Sequence, residues 1–325
     1  MSTAASSPGV SRYRHFRANL LTPQRIRELG VIRTNRALLD IAFCWILILA
    51  AFVLVTYHTA WWSLVTAFVL IGNRYYALFI IGHDGMHRRV APSTNRNDLI
   101  CDLLVFGPIG AITRLNNYNH LEHHYWLGTP KDPDRPKHCS FNKTSSSELL
   151  GFLSGFSIVL TAIRNVFHPR ARQNQAGGYG VRDVFIVGGW FVLLAGGLTW
   201  QIGWWAYPLL WLAPVYTFMY LADNFRSWSE HSHPEADDSA DAHRLITFLS
   251  NPVERCFLAP MNMNYHTVHH LWPSIPYYNL AAADREIRTM PAARGLEWRG
   301  SYLAYLWTYM KALPLAEYRR SGATL

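Results

Sequence analysis

Three short stretches of this sequence concentrate histidine, and their spacing is that of metal ligands on helices. NYHTVHHLWP and NHLEHHYW each contain histidines at i, i+3 and i+4, and GHDGMH contains two at i and i+4. Side chains at these positions share one face of an α-helix, with Cβ atoms about 5–6 Å apart. Each stretch is therefore predicted to direct two or three imidazoles the same way. The histidines of the three stretches are His83, His87, His120, His123, His124, His266, His269 and His270.

Metal binding is the chemistry that this pattern favours. Neutral imidazole is the commonest metal ligand in proteins, and it suits zinc, copper, iron and nickel. Eight imidazoles exceed what one tetrahedral ion uses, so the sequence predicts two metal ions. The residues by themselves leave zinc, copper and iron open. A lone histidine is more often a surface or packing residue, and we assign no role to the isolated histidines His15, His58, His138, His168 and His243.

A ninth ligand is predicted from position. His231 follows a long apolar stretch closely, as His83 follows an earlier one, so the two should emerge at similar depth. His233 is its neighbouring competitor, and we prefer His231. Glu230 is a candidate partner that orients an imidazole, because metal-bound histidines usually donate their second ring N–H to an acceptor.

Four apolar stretches are long enough to position these histidines at a membrane. A bilayer core needs about 20 apolar residues in a helix. The predicted spans form two hairpins with short uncharged links, at residues 37–57, 61–82, 181–201 and 204–225. Arg74 lies in the second span, where it either snorkels or lines a substrate channel. The stretch 99–112 is too short to span and is predicted to be re-entrant or interfacial.

Charge supports a membrane topology. Half of the 325 residues are apolar, 16% are charged, and the formal net charge is +9. The arginines flank the apolar stretches, which favours the positive-inside signal over nucleic-acid binding and places both termini in the cytoplasm. The four cysteines are scattered, which argues against a thiolate site or a disulfide framework. Residues 148–167 are predicted to form an amphipathic interfacial helix, with a further span as the alternative, and residues 173–180 a loop.

The predicted fold class is therefore all-α and integral to the membrane. Four transmembrane helices in two hairpins carry a cytoplasmic helical cap, residues 83–180 and 226–325, that holds a histidine-rich dimetal site. Residues 1–36 form a cytoplasmic N-terminal arm with an interfacial helix, and residues 37–325 form a single domain. Asn116, Asn117, Asn119 and Asn264 lie beside the histidines, as partners of ligands or as helix caps.

HDGMH, HLEHH and HTVHH, in this order and with hydrophobic hairpins before and between them, resemble the histidine boxes of the membrane fatty acid desaturase family. That family also includes hydroxylases, alkane monooxygenases and carotenoid ketolases. The resemblance runs from about residue 37 to about residue 285 and includes GTPKDPDRP and HHLWPSIPYYNL. The first box has three intervening residues, as in acyl-lipid desaturases and oxygenases. No HPGG haem-binding motif occurs, which implies a separate electron donor of the ferredoxin or cytochrome b5 kind.

The resemblance implies two non-haem iron ions. By that resemblance the ligands are His83, His87, His120, His123, His124, His231, His266, His269 and His270.

The expected function is O2-dependent insertion of a double bond into a fatty acyl chain of a membrane lipid or carrier, without a role for nucleic acid. Hydroxylation or ketolation of a lipid, carotenoid or specialised metabolite is the first alternative, because the same oxidant serves both outcomes. A zinc-dependent membrane hydrolase or receptor-like protein is a second alternative. A transporter with a histidine proton relay is disfavoured, because the clusters lie outside the spans.

Overall fold

The computed structural model describes residues 8–138, 145–154, 178–233 and 244–320, and these residues are mostly helical. The α-helices of the first half are α1 (Pro8–Asn19), α2 (Pro23–Leu29), α3 (Thr34–Tyr57), α4 (Trp61–Met86), α5 (Thr94–Cys101), α6 (Thr113–Trp126), α7 (Arg135–His138) and α8 (Ser146–Leu153). Those of the second half are α9 (Val181–Phe191), α10 (Gly197–Gln201), α11 (Tyr220–His231), α12 (Pro252–Leu258), α13 (His266–Leu271), α14 (Tyr277–Ile287) and α15 (Tyr302–Arg320). Two short strands, β1 (Ile246–Phe248) and β2 (Glu297–Arg299), pair in parallel, with Thr247 opposite Trp298.

Wider and tighter helical turns interrupt the regular helices at several points. The π-helical stretches are Asp102–Phe106, Val192–Gly196, Tyr207–Leu212 and Pro214–Met219, and the 3₁₀ turns are Gly107–Ile109 and Pro291–Ala293. Two of the π stretches begin at or beside Pro208 and Pro214. Proline has no N–H to donate, so the regular hydrogen-bond ladder is interrupted there and a wider turn takes its place.

The chain divides into two compact units, each built from separate segments. The first, which we call the histidine unit, consists of residues 1–30, 119–171 and 224–325. The second, the apolar unit, consists of residues 31–118 and 172–223. Neither unit is continuous in sequence.

The apolar unit contains the candidate membrane helices. In the part of the chain that the structure describes, three helices are long and apolar enough to cross a membrane: Thr34–Tyr57, Trp61–Met86 and Val181–Gln201. They correspond to the first three predicted spans. The fourth predicted span, 204–225, is helical from Tyr207 but is not among the three. Its tyrosines, tryptophans and two prolines reduce its hydropathy.

Helix α3 has one buried and one exposed apolar face. Ile41, Ile48 and Val55 are buried at helical spacing. The opposite face consists of large apolar side chains that are each more than half exposed, namely Leu39, Phe43, Ile46, Leu49 and Val53. An exposed apolar stripe of this length suits contact with lipid rather than with water.

Helix α4 runs four residues beyond its predicted end at residue 82. It includes His83 and ends at Met86, before Arg88 adopts a left-handed conformation with φ of 60°. Close packing requires a glycine near this end. A Cβ at Gly85 would lie 2.3 Å from the Cys101 Sγ. Glycine thus lets α5 approach the end of α4 that bears the first histidine stretch.

The stretch predicted to be re-entrant, 99–112, is short, helical and packed against the candidate membrane helices. Its carbonyl groups receive hydrogen bonds from aromatic side chains. Trp45 Nε1 donates to Leu104 O at 2.9 Å, and Tyr75 OH donates to Val105 O. Four further donor–acceptor pairs are Trp190 to Leu103 O, Trp211 to Pro108 O, Tyr216 to Ile109 O and Tyr179 to Gly110 O. Irregular backbone at membrane depth is tolerated only when its polar groups are satisfied in this way.

In the histidine unit, aromatic packing and strand β1 support the start of α13. The Phe248 ring stacks on the Tyr302 ring at a centroid distance of 4.0 Å. Asn264 Nδ2 donates to Phe248 O at 2.8 Å, and Phe248 N donates to Asn264 O at 3.0 Å. Asn264 therefore clamps the segment that leads into His266 onto β1.

The N-terminal region forms two helices, where one was expected. Arg17 of α1 donates from Nη2 to His270 O at 2.9 Å, and Arg25 of α2 pairs with Glu286 of α14. Of the predicted interfacial helix at 148–167, the structure describes α8 and Ser154, and residues 155–167 lie outside the described residues. Of the predicted loop at 173–180, residues 178–180 are described, and they form neither helix nor strand.

Candidate metal centre

Three helices of the histidine unit bring seven of the nine predicted ligands together. Helix α13 carries three of them on its i, i+3 and i+4 positions, and all are buried. Helix α6 carries three in its second half, and His231 is the last residue of α11. The seven are His120, His123, His124, His231, His266, His269 and His270.

One group of ring nitrogens is formed by His120, His124 and His269. The Nε2 atom of His124 lies 3.1 Å from that of His120 and 3.1 Å from that of His269. Imidazole nitrogens bonded to one ion at about 2.0–2.1 Å are roughly 3 Å apart when the bond angles are near 90–110°. The three nitrogens therefore have the spacing of ligands to one ion.

A second group surrounds His231. Its Nε2 atom lies 2.8 Å from that of His266 and 3.3 Å from that of His123. His270 belongs to the same region, because its ligand atom and those of His123 and His231 all lie within 4.8 Å of one another. The seven histidines thus form two separate groups of nitrogens, which matches the number of metal ions expected from the count of imidazoles.

The outer ring nitrogens of the second group are held by acceptors. His123 Nδ1 lies 2.9 Å from Asp132 Oδ1, and His231 Nδ1 lies 2.9 Å from Arg244 O. His266 Nδ1 lies 3.3 Å from Glu230 Oε2. A carboxylate and a peptide carbonyl only accept hydrogen bonds, so the Nδ1 atoms of His123 and His231 carry the proton and their Nε2 atoms present a lone pair. His266 Nδ1 also lies 3.5 Å from Arg226 Nη1, which only donates, so the contacts of His266 do not select one tautomer.

Three histidines of this group, His231, His266 and His270, favour the neutral form. Burial lowers the pKa of His231, His266 and His270 well below the usual histidine value, and the neighbouring cationic forms would lower it further. Neutral imidazole is the form that binds metal. The Nε2 lone pairs of His123 and His231 face each other at 3.3 Å and repel, and a cation between them removes the repulsion. The donor set therefore fits a metal ion.

Glu230 lies beside the His266 ring, and its role in orienting that ring stays a prediction. Its carboxylate is fully buried, lies beside His266 Nδ1, and accepts from Arg226 Nη1 at 2.5 Å and from Tyr302 OH at 2.6 Å. The Arg226 guanidinium compensates the buried charge, which would otherwise be costly. His233 differs from His231, because its Nε2 lies 3.7 Å from Glu297 Oε1 and it belongs to neither nitrogen group.

Asp132 and His138 are two site residues that the sequence did not reveal. His138, to which we assigned no role, is 1% exposed, and its ring centroid is 5.1 Å from that of His231 and 5.6 Å from that of His123. Its Nε2 lies 3.3 Å from Asp132 Oδ2. The only sequence signal was the position of GTPKDPDRPKH directly after the second histidine stretch.

Asp132 and His138 have pKa values shifted by burial and by each other. Burial acts to raise the pKa of Asp132, but the His123 and His138 imidazoles outweigh it and hold the pKa below the usual range. Burial lowers the pKa of His138 to about 4, against the opposing effect of Asp132. At neutral pH Asp132 is therefore an ionised carboxylate and the His138 ring is neutral.

His83 and His87 lie in the apolar unit, at the C-terminal end of α4. Their ring centroids are 5.6 Å apart, at an interplanar angle of 70°. His83 is buried, and His87 is the residue that follows the last turn of the helix. The two histidines of the first stretch thus lie near each other at one end of α4, within the apolar unit.

Comparison with known proteins identifies the class. The family model described as fatty acid desaturase matches residues 59–302, three quarters of the chain. The chain belongs to the fatty acid desaturase family and is an enzyme of that family. The three histidine stretches and the buried nitrogen groups agree with the metal-dependent chemistry expected of its members.

Several characterised relatives are similar to most of the chain. The dihydrorhizobitoxine desaturase of Bradyrhizobium elkanii is 26% identical over 254 residues, covering 73% of this chain and 71% of the relative. The β-carotene ketolase of Paracoccus sp. (strain PC1) is 27% identical over 250 residues, covering 74% of this chain and 87% of the relative. The sn-1 acyl-lipid omega-3 desaturase (ferredoxin) of Nostoc sp. (strain 36) is 23% identical over 260 residues, covering 72% of this chain and 69% of the relative. Their similar identities do not favour one substrate.

Proposed function

We propose that this enzyme is a membrane di-iron oxidoreductase that inserts a double bond into a fatty acyl chain, carried by a membrane lipid or another carrier. The observation that supports the proposal best is the convergence of Nε2 lone pairs in two groups within the histidine unit. A desaturase-family chain with two such groups has the ligands for two metal ions. Iron suits imidazole ligands, and the family resemblance implies it.

The proposed ligand set comprises all nine histidines predicted from the sequence. Seven belong to the two nitrogen groups described above. His83 and His87 complete the set, because the sequence places them directly after the second span, where the positive-inside topology also puts the other clusters. His231 is included in preference to His233 because of its burial and its Nε2 contacts.

We propose the following architecture for this function. Residues 37–325 act as one domain with four membrane helices in two hairpins, and residues 1–36 form an arm at the cytoplasmic face. Residues 83–180 and 226–325 form the cytoplasmic cap, and both termini are cytoplasmic. The three candidate membrane helices and the exposed apolar face of α3 support this proposal, and residues 204–225 supply the fourth span through their helical turns.

The protein's own residues would prepare the site for oxidation of an unactivated C–H bond. The bound iron would supply O2 activation and electron transfer. Asp132 and the Arg244 carbonyl hold the imidazoles of His123 and His231 in the tautomer that presents Nε2 inward, and Glu230 lies beside His266. The buried surroundings exclude water, which limits side reactions. In the balanced reaction O2 takes two electrons from the substrate and two from the donor, and with two external protons it yields two water molecules.

The substrate would be apolar and would enter from the bilayer, and the electrons would come from a separate protein. A relative whose name includes ferredoxin supports a small iron–sulfur donor, with a cytochrome b5-like donor as the alternative. The net charge of +9 favours an acidic donor surface and anionic lipid head groups.

A second candidate function is hydroxylation or ketolation of a lipid, carotenoid or specialised metabolite. The ketolase relative is 27% identical, as similar as the desaturases. The two outcomes share the same oxidant and differ in whether a second hydrogen is lost or oxygen is transferred.

The test is expression of the full chain in a host with suitable reductases, under ¹⁸O₂, followed by lipid and metabolite mass spectrometry. We expect a product lighter by two hydrogens and two iron ions per purified chain. His269→Ala should abolish the product and lower the iron content while the protein stays in the membrane. His58→Ala, in the exposed link between α3 and α4, is the matched control and should behave as wild type.

Incorporation of ¹⁸O into the product would contradict desaturation and support the second candidate. Zinc at one ion per chain, without O2 consumption, would instead contradict the di-iron proposal and support a hydrolase. Normal turnover of His269→Ala would contradict the ligand assignment.

A further inference from the structure

Asp132 lies between two buried imidazoles of the histidine unit. Its Oδ1 atom is 2.9 Å from His123 Nδ1, and its Oδ2 atom is 3.3 Å from His138 Nε2. The side chains of Asp132 and His138 are fully buried, and that of His123 nearly so. One carboxylate is thus shared by a proposed metal ligand and by a histidine outside the predicted ligand set.

The backbone fixes both oxygens of this carboxylate. Gly128 N donates to Oδ2 at 3.0 Å, and Asp134 N donates to Oδ1 at 2.9 Å. Gly128 has φ of 75°, a left-handed conformation that favours glycine. The turn after α6 therefore returns a carboxylate to the outer edge of the His123 ring, nine residues after that ring in sequence.

The backbone of His138 is fixed on the opposite side. Its carbonyl oxygen accepts from Ser232 Oγ at 2.8 Å, and Ser232 directly follows His231. The Nε2 atom of His138 lies 3.3 Å from Asp132 Oδ2, and neither ring nitrogen makes a hydrogen bond of good geometry among the described residues. This geometry makes His138 a neighbour of the carboxylate and attaches the end of α7 to the end of α11.

We propose that Asp132 is a positioning residue of the metal centre. It keeps the proton of His123 on Nδ1 and so directs the Nε2 lone pair of His123 toward the metal, while His138 braces the carboxylate from the other side. This inference rests on the proposed metal-dependent function. An acceptor behind a ligating histidine orients the ring and makes it more basic, and its loss typically lowers metal affinity or activity about 10–100-fold.

A metal-binding measurement tests the proposal on the purified full chain in lipid nanodiscs. Fe²⁺ is added without oxygen and its affinity is measured by competition with a chelator, and Co²⁺ serves as an optical probe of the ligand field. Asp132→Ala should weaken binding of one of the two ions about 10–100-fold. Asp132→Asn should lose less, because its amide oxygen still accepts from His123 Nδ1 in one orientation.

Asp40→Asn is the matched control. The Asp40 side chain pairs with Arg36 at 2.9 Å on α3, which carries no histidine of the site. Its variant should bind both ions as wild type does. His138→Phe keeps a ring in place of the brace and should weaken binding by less than Asp132→Ala.

A tautomer measurement separates positioning from a purely structural role. In metal-free protein with ¹⁵N-labelled histidine, the His123 resonances, assigned by their absence in His123→Gln, should show Nδ1 protonated in wild type and a shift toward Nε2 protonation in Asp132→Ala. A loss of stability without this shift would contradict the proposal, as would wild-type metal affinity of Asp132→Ala.

Two further outcomes are distinguishable. If wild type binds no metal, the proposed function fails, whatever the Asp132 variants do. If wild type binds a third ion that Asp132→Ala loses, Asp132 and His138 are themselves ligands, and the positioning role is overturned.

Discussion

Three different acceptors hold the outer nitrogens of the second nitrogen group. His123 faces the Asp132 carboxylate, His266 faces the Glu230 carboxylate, and His231 faces the Arg244 carbonyl. A hydrogen bond to a charged group contributes about 1.5–3 kcal/mol, and a neutral one about 0.5–1.5 kcal/mol. The Asp132 carboxylate should therefore hold His123 more firmly than the carbonyl holds His231.

A pair of neighbouring histidines gives the sharpest test at the level of single residues. We expect His231→Ala to lose bound iron and activity, because His231 Nε2 lies in the nitrogen group with His266 and His123. His233→Ala should keep both, because its ring faces Glu297 instead. Metal analysis and product formation measure the difference. Equal iron contents in the two variants would contradict the assignment of His231.

The sequence predicted the residues of the site wherever a single helix carries them. The i, i+3 and i+4 spacing placed His266, His269 and His270 on one face, and the structure confirms that arrangement. Asp132 and His138 were not predictable in this way. Their approach to His123 depends on a turn at Gly128, and no periodic pattern encodes such a turn.

The C-terminal end of α4 depends on the absence of a side chain. The Gly85 Cβ position would lie 2.3 Å from Cys101 Sγ and 3.5 Å from Cys101 Cβ. Cys101 is fully buried, so its sulfur has little room to move. This packing fixes how closely α5 approaches the segment with His83 and His87.

Gly85→Ala should therefore destabilise the protein in a way that Cys101→Ala relieves. Overpacking of a core typically costs about 1–3 kcal/mol. In the Cys101→Ala background the nearest remaining atom of that residue is the Cβ at 3.5 Å, an ordinary contact. Thermal unfolding in detergent of wild type, Gly85→Ala, Cys101→Ala and the double variant gives the coupling free energy between the two positions. An equal loss in both backgrounds would show that the sulfur is not the obstacle.

The positions of three long helices were predictable, but their exact ends and internal geometry were not. Apolar length predicted α3, α4 and the helix over 181–201, because a helix of that composition has few alternatives. The π-helical turns over Tyr207–Leu212 and Pro214–Met219 depend on how Pro208 and Pro214 are accommodated. Hydropathy does not distinguish a regular helix from one with wider turns.

The seven histidines of the histidine unit come from three distant parts of the chain. They lie in α6, at the end of α11 and in α13, and His124 and His269, whose Nε2 atoms are 3.1 Å apart, are separated by 145 positions in sequence. An ion bound at either group would therefore cross-link segments that are otherwise joined by packing and hydrogen bonds. Ligands that bind only the folded state stabilise it in proportion to their affinity.

Removal of metal should loosen these segments selectively. We expect chelation to increase amide hydrogen exchange in α13 and at the end of α11, and to leave α3 unchanged, because α3 contributes no histidine to the site. Exchange followed by mass spectrometry, in nanodiscs with and without chelator, measures both. An equal increase in α3 and α13 would indicate general destabilisation, and no change in α13 would contradict a metal bound by its histidines.

At the level of the whole chain, the sequence predicted a mostly helical protein with histidines gathered from distant segments. It did not predict which elements would satisfy the backbone of residues 102–110, because the donors are tryptophans and tyrosines scattered over four other segments. Tryptophan and tyrosine are also enriched at membrane interfaces in general. Their presence in the sequence therefore does not predict which carbonyl groups they donate to.

These aromatic donors have a consequence for the order of synthesis. The partners of Leu103, Pro108, Ile109 and Gly110 lie 87, 103, 107 and 69 residues later in the chain. While the ribosome is still translating the middle of the protein, these carbonyls lack their final donors. Residues 102–110 therefore complete their hydrogen bonds only after residues 179–216 have been synthesised, so this segment reaches its final packing only after part of the C-terminal half of the chain is made.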